Sequence, residues 1–195
     1  MLKKIAEIIS LVLNPLVLLM PVPFFLVFER TNNLARSLAW TGISTFFIFL
    51  YFMLIVFGIR FGIFSDLDVS KRQQRPILFL VGLFLAISYL IFLLLFHAPG
   101  ILQIGTFALI AGLFVIGAVN MFTKVSGHLA VLSAFLTFAV LVEGWKLLGL
   151  FILLPLLAWA RIKTKNHTLL QTVLGSVIGI LTTVIIYAIV KYIVR

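Results

Sequence analysis

Cysteine is absent from the 195 residues, so disulfides, thiol nucleophiles and cysteine-held metals are excluded. Charge is scarce too: 10% of the residues are charged and only five are acidic. Strand-like alternation, low-complexity tracts and internal repeats of the length used by solenoids are also missing. What fills the chain is apolar. Hydrophobic residues make up 64% of it and the mean hydropathy is +1.30, far above the roughly 45–50% apolar usage of soluble domains. A soluble fold has no interior large enough for so much apolar surface. The sequence therefore reads as all-α: a polytopic transmembrane helical bundle, one integral membrane domain over residues 1–195.

Seven apolar stretches are candidates for crossing, running roughly Ile5–Phe28, Leu38–Ile59, Ile77–Phe96, Ile101–Val119, Leu129–Val142, Leu147–Ala160 and Leu169–Ile193. The two flanking Glu143-Gly144-Trp145-Lys146 are short for a full crossing, so six or seven spans are expected. Pro15, Pro21 and Pro23 predict a kinked first span, and His97-Ala98-Pro99-Gly100 predicts a tight helical hairpin. The opening Met1-Leu2-Lys3-Lys4 resembles a signal peptide, but the apolar run continues to Phe28 without a cleavage site and reads as a retained span. Gly175 and Gly179, four apart in the last stretch, predict close helix packing.

Fifteen Lys and Arg against five acids give a net charge of +10. With no soluble basic face, these cations belong at membrane surfaces or around an anionic ligand, and no nucleic acid partner is expected. They cluster in polar breaks. The first break holds Ser65-Asp66-Leu67-Asp68-Val69-Ser70-Lys71-Arg72-Gln73-Gln74-Arg75-Pro76, whose cations suit phosphate oxygens or anionic headgroups alike. The second is Lys124-Val125-Ser126-Gly127-His128, where Ser126 stands at an expected helix N-cap. Backbone amides there favour an anion, and Gly127 lets one approach closely. In the third, Arg161 precedes His167 by six positions, with Lys163 and Lys165 between them. A histidine at such a place is available as nucleophile or proton carrier, or simply sits at the interface. Two apolar stretches separate each neighbouring pair of breaks, so if all seven cross, the three breaks share one membrane face.

In this order Arg75-Pro76, Ser126-Gly127-His128 and Arg161 with His167 resemble the three-part signature of the type 2 phosphatidic acid phosphatase superfamily. The resemblance covers Lys71 to Gln171, about half the chain. It implies a metal-independent phosphatase, without cofactor, that acts on lipid phosphates through a phosphohistidine. Carried over, His167 attacks phosphorus and His128 protonates the leaving group. Arg75, Arg161, Ser126 and Gly127 hold the phosphoryl oxygens. Three positions depart from the family pattern. Its lysine is Asp68 here, so Lys71 or Arg72 is expected to supply that charge. The serine before Arg161 is Ala160. The aspartate four residues after the nucleophile is Gln171, which shares a helical face with position 167 and accepts a proton from the imidazole, but cannot neutralise a developing positive charge as a carboxylate does. The implied partners are a lipid phosphate substrate and membrane lipids. The implied location is the cell membrane, multi-pass, with the site on the extracytoplasmic side as in bacterial members. The seven-span count puts Lys3 and Lys4 on the motif face and Arg30, Arg36, Lys146, Lys191 and Arg195 opposite it.

Two other readings compete. Asp66 and Asp68 followed by Lys71-Arg72 and Arg75-Pro76 also resemble the aspartate-rich loop of membrane prenyltransferases, which hold a diphosphate through magnesium. Those enzymes need a second aspartate-rich loop, and after Asp68 the only acid is Glu143. The other reading is a lipid-binding or transport protein with a degenerate site. The 20 Phe residues serve either a lipid-facing surface or an acyl-chain groove.

Overall fold

The computed structural model describes residues 1–193, and every regular element among them is helical. Prolines divide the first apolar run into α1 (Leu2–Val12), α2 (Pro15–Leu19) and α3 (Val22–Thr31). A proline disfavours the helical conformation in the residue before it, so α1 stops short of Asn14. The Asn14 side chain then accepts the Leu16 N–H at 2.9 Å. Pro23 sits in the first turn of α3, where a missing N–H does no harm, and the run bends by 46° ahead of α3. Beyond these lie α4 (Leu34–Arg60), α5 (Arg75–Leu95), α6 (Gly100–Phe122), α7 (Gly127–Glu143), α8 (Leu153–Lys163) and α9 (Leu169–Ile193).

A rise of ~1.5 Å per residue makes about 20 residues the length of a crossing. Five segments meet it: α4, α5 with the 3₁₀ turn before it, α6, Trp145–Lys163 and α9. The bent first run makes a sixth if its two parts cross as one span. The remaining candidate, α7, has 17 residues and is shorter than a straight crossing. It ends at Gly144, whose φ of +96° suits glycine, and a 3₁₀ stretch over Trp145–Ile152 leads into α8. Side chains such as Phe46, Phe57, Phe84 and Phe114 are more than half exposed, as expected where lipid is the solvent. The protein is a multi-pass membrane protein. Of the charges assigned to the opposite face, Arg195 lies outside the described residues.

The helices gather into two compact units: Met1–Leu18 with the chain from Met121 onward, and Leu19–Asn120. In the second unit α3 packs on α4 and α4 on α5, around Val27, Trp40, Leu93, Ala98 and Leu102. The expected hairpin turn is there: His97 takes a φ of 49°, and Gln103 Nε2 donates to the Ala98 carbonyl at 3.0 Å. In the first unit α7 and α9 form the most extensive pair, and α1 packs on α8. Its core is Leu13, Leu129, Leu132, Leu136 and Leu157. Gly175 and Gly179 make the α7–α9 contact possible. A Cβ on Gly175 would overlap the Ser126 carbonyl, and one on Gly179 the Ala130 carbonyl and the Ser133 hydroxyl.

Candidate functional site

The glycine contact presses the start of α9 against the start of α7, and so joins the second and third motifs. The Ser126 N–H donates to the Gln171 carbonyl at 3.1 Å, and Lys124 Nζ to the Asn166 carbonyl at 2.8 Å. Between α8 and α9 the chain reverses in a tight turn. Lys165 adopts a left-handed φ of 60°, and the Arg161 carbonyl accepts the N–H groups of Asn166 and His167 at 3.1 and 3.3 Å. Arg161 and His167 are both buried.

His167 precedes α9, whose first turn is closed by a capping box. Thr168 Oγ1 accepts the Gln171 N–H at 3.4 Å, while Gln171 Oε1 accepts the Thr168 N–H at 3.2 Å. The same Oε1 lies 3.1 Å from His167 Nδ1. An oxygen already accepting a backbone N–H fixes the orientation of the amide, so Nδ1 is the donor. In the neutral ring Nε2 is then the unprotonated nitrogen. Gln171 thus meets both the imidazole and the first turn of α9.

Ser126 occupies the N-cap position of α7 but makes no side-chain cap. Its hydroxyl is fully buried with no hydrogen-bond partner among the described residues. A buried polar atom of this kind calls for a ligand or a solvent partner. The first-turn amides of α7 lie beside it with the positive end of the helix dipole. A Cβ added to Gly127 would meet nothing within 4 Å beyond its chain neighbours and its own helix, so there is open space on that side of the residue.

His128 is oriented by a residue the motifs do not contain. Asn14 Nδ2 lies 3.3 Å from His128 Nε2. Because Asn14 Oδ1 already accepts the Leu16 N–H, the amide nitrogen donates and Nε2 accepts. The neutral His128 ring therefore carries its proton on Nδ1. The sequence signal was the Asn-Pro dipeptide, which marks a turn but names no partner.

The first motif belongs to the other unit, where its cations are organised around the end of α6. Arg75 is buried; its Nε donates to the Val69 carbonyl at 3.1 Å and its Nη1 to Asn120 Oδ1 at 3.2 Å. Arg72 Nε donates to the Asn120 carbonyl at 2.9 Å. Lys71 is exposed. Asn120, the first polar residue after a long apolar run, is the second residue that pattern reading missed. Asp66 folds the loop onto itself. Its carboxylate accepts the hydroxyls of Ser65 and Ser70 at 2.7 and 3.0 Å and the Asp68 and Ser70 amides at 3.0 and 3.2 Å. Burial alone would raise this carboxyl, but those hydrogen bonds outweigh it and hold the group below the usual carboxylate range.

The chain matches no family model, no curated protein and no solved structure.

Proposed function

We propose that the protein is a metal-independent phosphatase of lipid phosphates, a divergent relative of the type 2 phosphatidic acid phosphatases, working through a phosphohistidine on His167. The observation that carries this reading is the His167–Gln171 hydrogen bond at 3.1 Å, which engages Nδ1 and so supports Nε2 as the nitrogen that would attack phosphorus. In the first step the Nε2 lone pair bonds to phosphorus and the bond from phosphorus to the lipid oxygen breaks. That oxygen leaves with a proton from the imidazolium form of His128, which thereby returns to the neutral ring. In the second step water attacks the phosphohistidine and returns a proton to His128, so that inorganic phosphate departs and the His167 lone pair is restored. With a diphosphate the first leaving group is the lipid monophosphate. The Ser126 hydroxyl, the Gly127 amide and the Arg161 guanidinium stabilise charge on the phosphoryl oxygens, the main task in phosphoryl transfer. Gln171 orients the ring but leaves its developing positive charge unneutralised, which makes the reaction slow. The family resemblance sets the protein in the cell membrane with its site on the outer side.

The test is phosphate release by purified protein from a panel of polyprenyl and glycerolipid phosphates, with and without EDTA. Release that survives EDTA and disappears in His167→Ala supports the reading. Release only with magnesium favours a diphosphate enzyme of the prenyltransferase kind, and silence with every substrate that still bind favours a degenerate lipid-binding protein.

A further inference from the structure

Besides the histidine site, the first unit contains a groove of about 960 Å³ between α8 and α9. Leu154, Ala158 and Ile162 line it from α8 at successive four-residue steps, and Val173 and Val177 from α9. It is open along one side, and its volume falls within the range of ligand sites. Neither His128, His167 nor Ser126 lines it. The polar groups that do include three lysines: Lys3, Lys163 and Lys165. Lys3 has Glu7 at 3.9 Å, but no carboxylate pairs with Lys163 or Lys165 among the described residues. Both are exposed, Lys163 as the last residue of α8 and Lys165 in the turn that follows it.

We propose that this groove binds an anionic phospholipid of the surrounding leaflet, its phosphate at Lys163 and Lys165 and one acyl chain along α8 and α9. Length supports the assignment. From Leu154 to Ile162 the α8 wall runs ~12 Å, close to the ~15 Å half-thickness of a bilayer's hydrocarbon core. Charge selects among lipids: two unneutralised ammonium groups at the head of an apolar wall favour a negative headgroup over a zwitterionic one. A soluble anion would find the same lysines but gain nothing from the walls. The lipid here is not the substrate, and the inference does not depend on catalysis.

Trp159, one of three tryptophans, lines the groove and is its natural reporter. The double variant Trp40→Phe/Trp145→Phe leaves it as the only tryptophan. This protein would be reconstituted in phosphatidylcholine vesicles containing chain-brominated phosphatidylglycerol or chain-brominated phosphatidylcholine. The expected result is that the anionic lipid quenches Trp159 at a roughly tenfold lower mole fraction. The preference should shrink in high salt and vanish in Lys163→Gln/Lys165→Gln. Equal quenching by both lipids, or a preference that survives the lysine substitutions, would overturn the proposal and leave ordinary annular lipid. Should the tryptophan variant fail to fold, native mass spectrometry of the wild-type chain released from mixed-lipid nanodiscs gives the same readout. Retained phosphatidylglycerol lost in the lysine variant supports the site; no retained lipid, or retention without headgroup preference, overturns it. Neither measurement reads phosphate release, so its failure is separable from failure of the phosphatase reading.

Discussion

Asn14 donates through Nδ2 to His128 Nε2 across 114 positions of sequence, while its Oδ1 holds the Leu16 amide. The break in the first membrane segment therefore sets the tautomer of a histidine two thirds of the way along the chain. Asn14→Asp separates the two roles: it keeps the oxygen that caps α2 and replaces the donor facing His128 by an acceptor. The expected outcome is a roughly tenfold to hundredfold loss in kcat with melting temperature unchanged. The pH–rate profile should move toward alkaline pH, because the added carboxylate favours the protonated ring. An unchanged profile would assign Asn14 to α2 alone.

At Gln171 a carboxylate should accelerate the reaction, provided that the capping box survives. Glutamate keeps the reach of glutamine and closes the same box, whereas aspartate is one methylene short. Gln171→Glu is therefore expected to raise single-turnover phosphate release severalfold by stabilising positive charge on His167, and Gln171→Ala to lower it. A slower Gln171→Glu enzyme would mean that charge does not build up on that ring.

Gly127 gives the cleanest separation of binding from folding. Beyond its chain neighbours and its own helix, nothing lies within 4 Å of where a Cβ would stand, and alanine has the higher helix propensity. Gly127→Ala should preserve or raise the melting temperature while weakening substrate binding, seen as a higher KM. Unchanged KM would mean that the open space does not receive the phosphate.

Gly179→Ala is the opposite case. Its methyl group would meet the Ala130 carbonyl and the Ser133 hydroxyl, so α9 must move off α7. A loss of about 1–3 kcal/mol is expected from such overpacking, read as a lower unfolding temperature in detergent, together with lost activity because the two histidine motifs part.

Acid should loosen the Ser65–Ser70 loop late. The Asp66 carboxyl titrates below its unfolded value in the native loop, so its contribution is complete above the ordinary carboxylate range and fades as pH falls through the lowered native value. Amide exchange at Ser70 should accordingly stay slow at mildly acidic pH and quicken only below it. In Asp66→Ala exchange should already be fast at neutral pH.

The helices were legible because lipid imposes so plain a rule: twenty apolar residues, then a polar break. Pro15, the His97–Gly100 turn and the Gly175/Gly179 pair were legible for the same local reasons, since each acts through backbone geometry that its own sequence states. Asn14 and Asn120 were not, because their value lies in partners 114 and 45 positions away, and a lone Asn beside an apolar run has no period to betray it. Thr168 and Gln171 carried a capping-box spacing, hidden behind the more conspicuous histidine. Ser126 looked like a cap and stands where one would, yet its backbone is engaged by Gln171 and its hydroxyl is left for something else.

The 17 residues of α7 reach ~26 Å at most, a few ångströms less than a ~30 Å hydrocarbon core. If α7 crosses alone, one of its ends falls short of the headgroup plane unless the bilayer dimples to meet it. Such hydrophobic mismatch makes membrane thickness a control parameter. On the proposed function, if the short end is the N-terminal one, short-chain bilayers would bring His128 level with the lipid phosphates and activity should fall as the bilayer thickens.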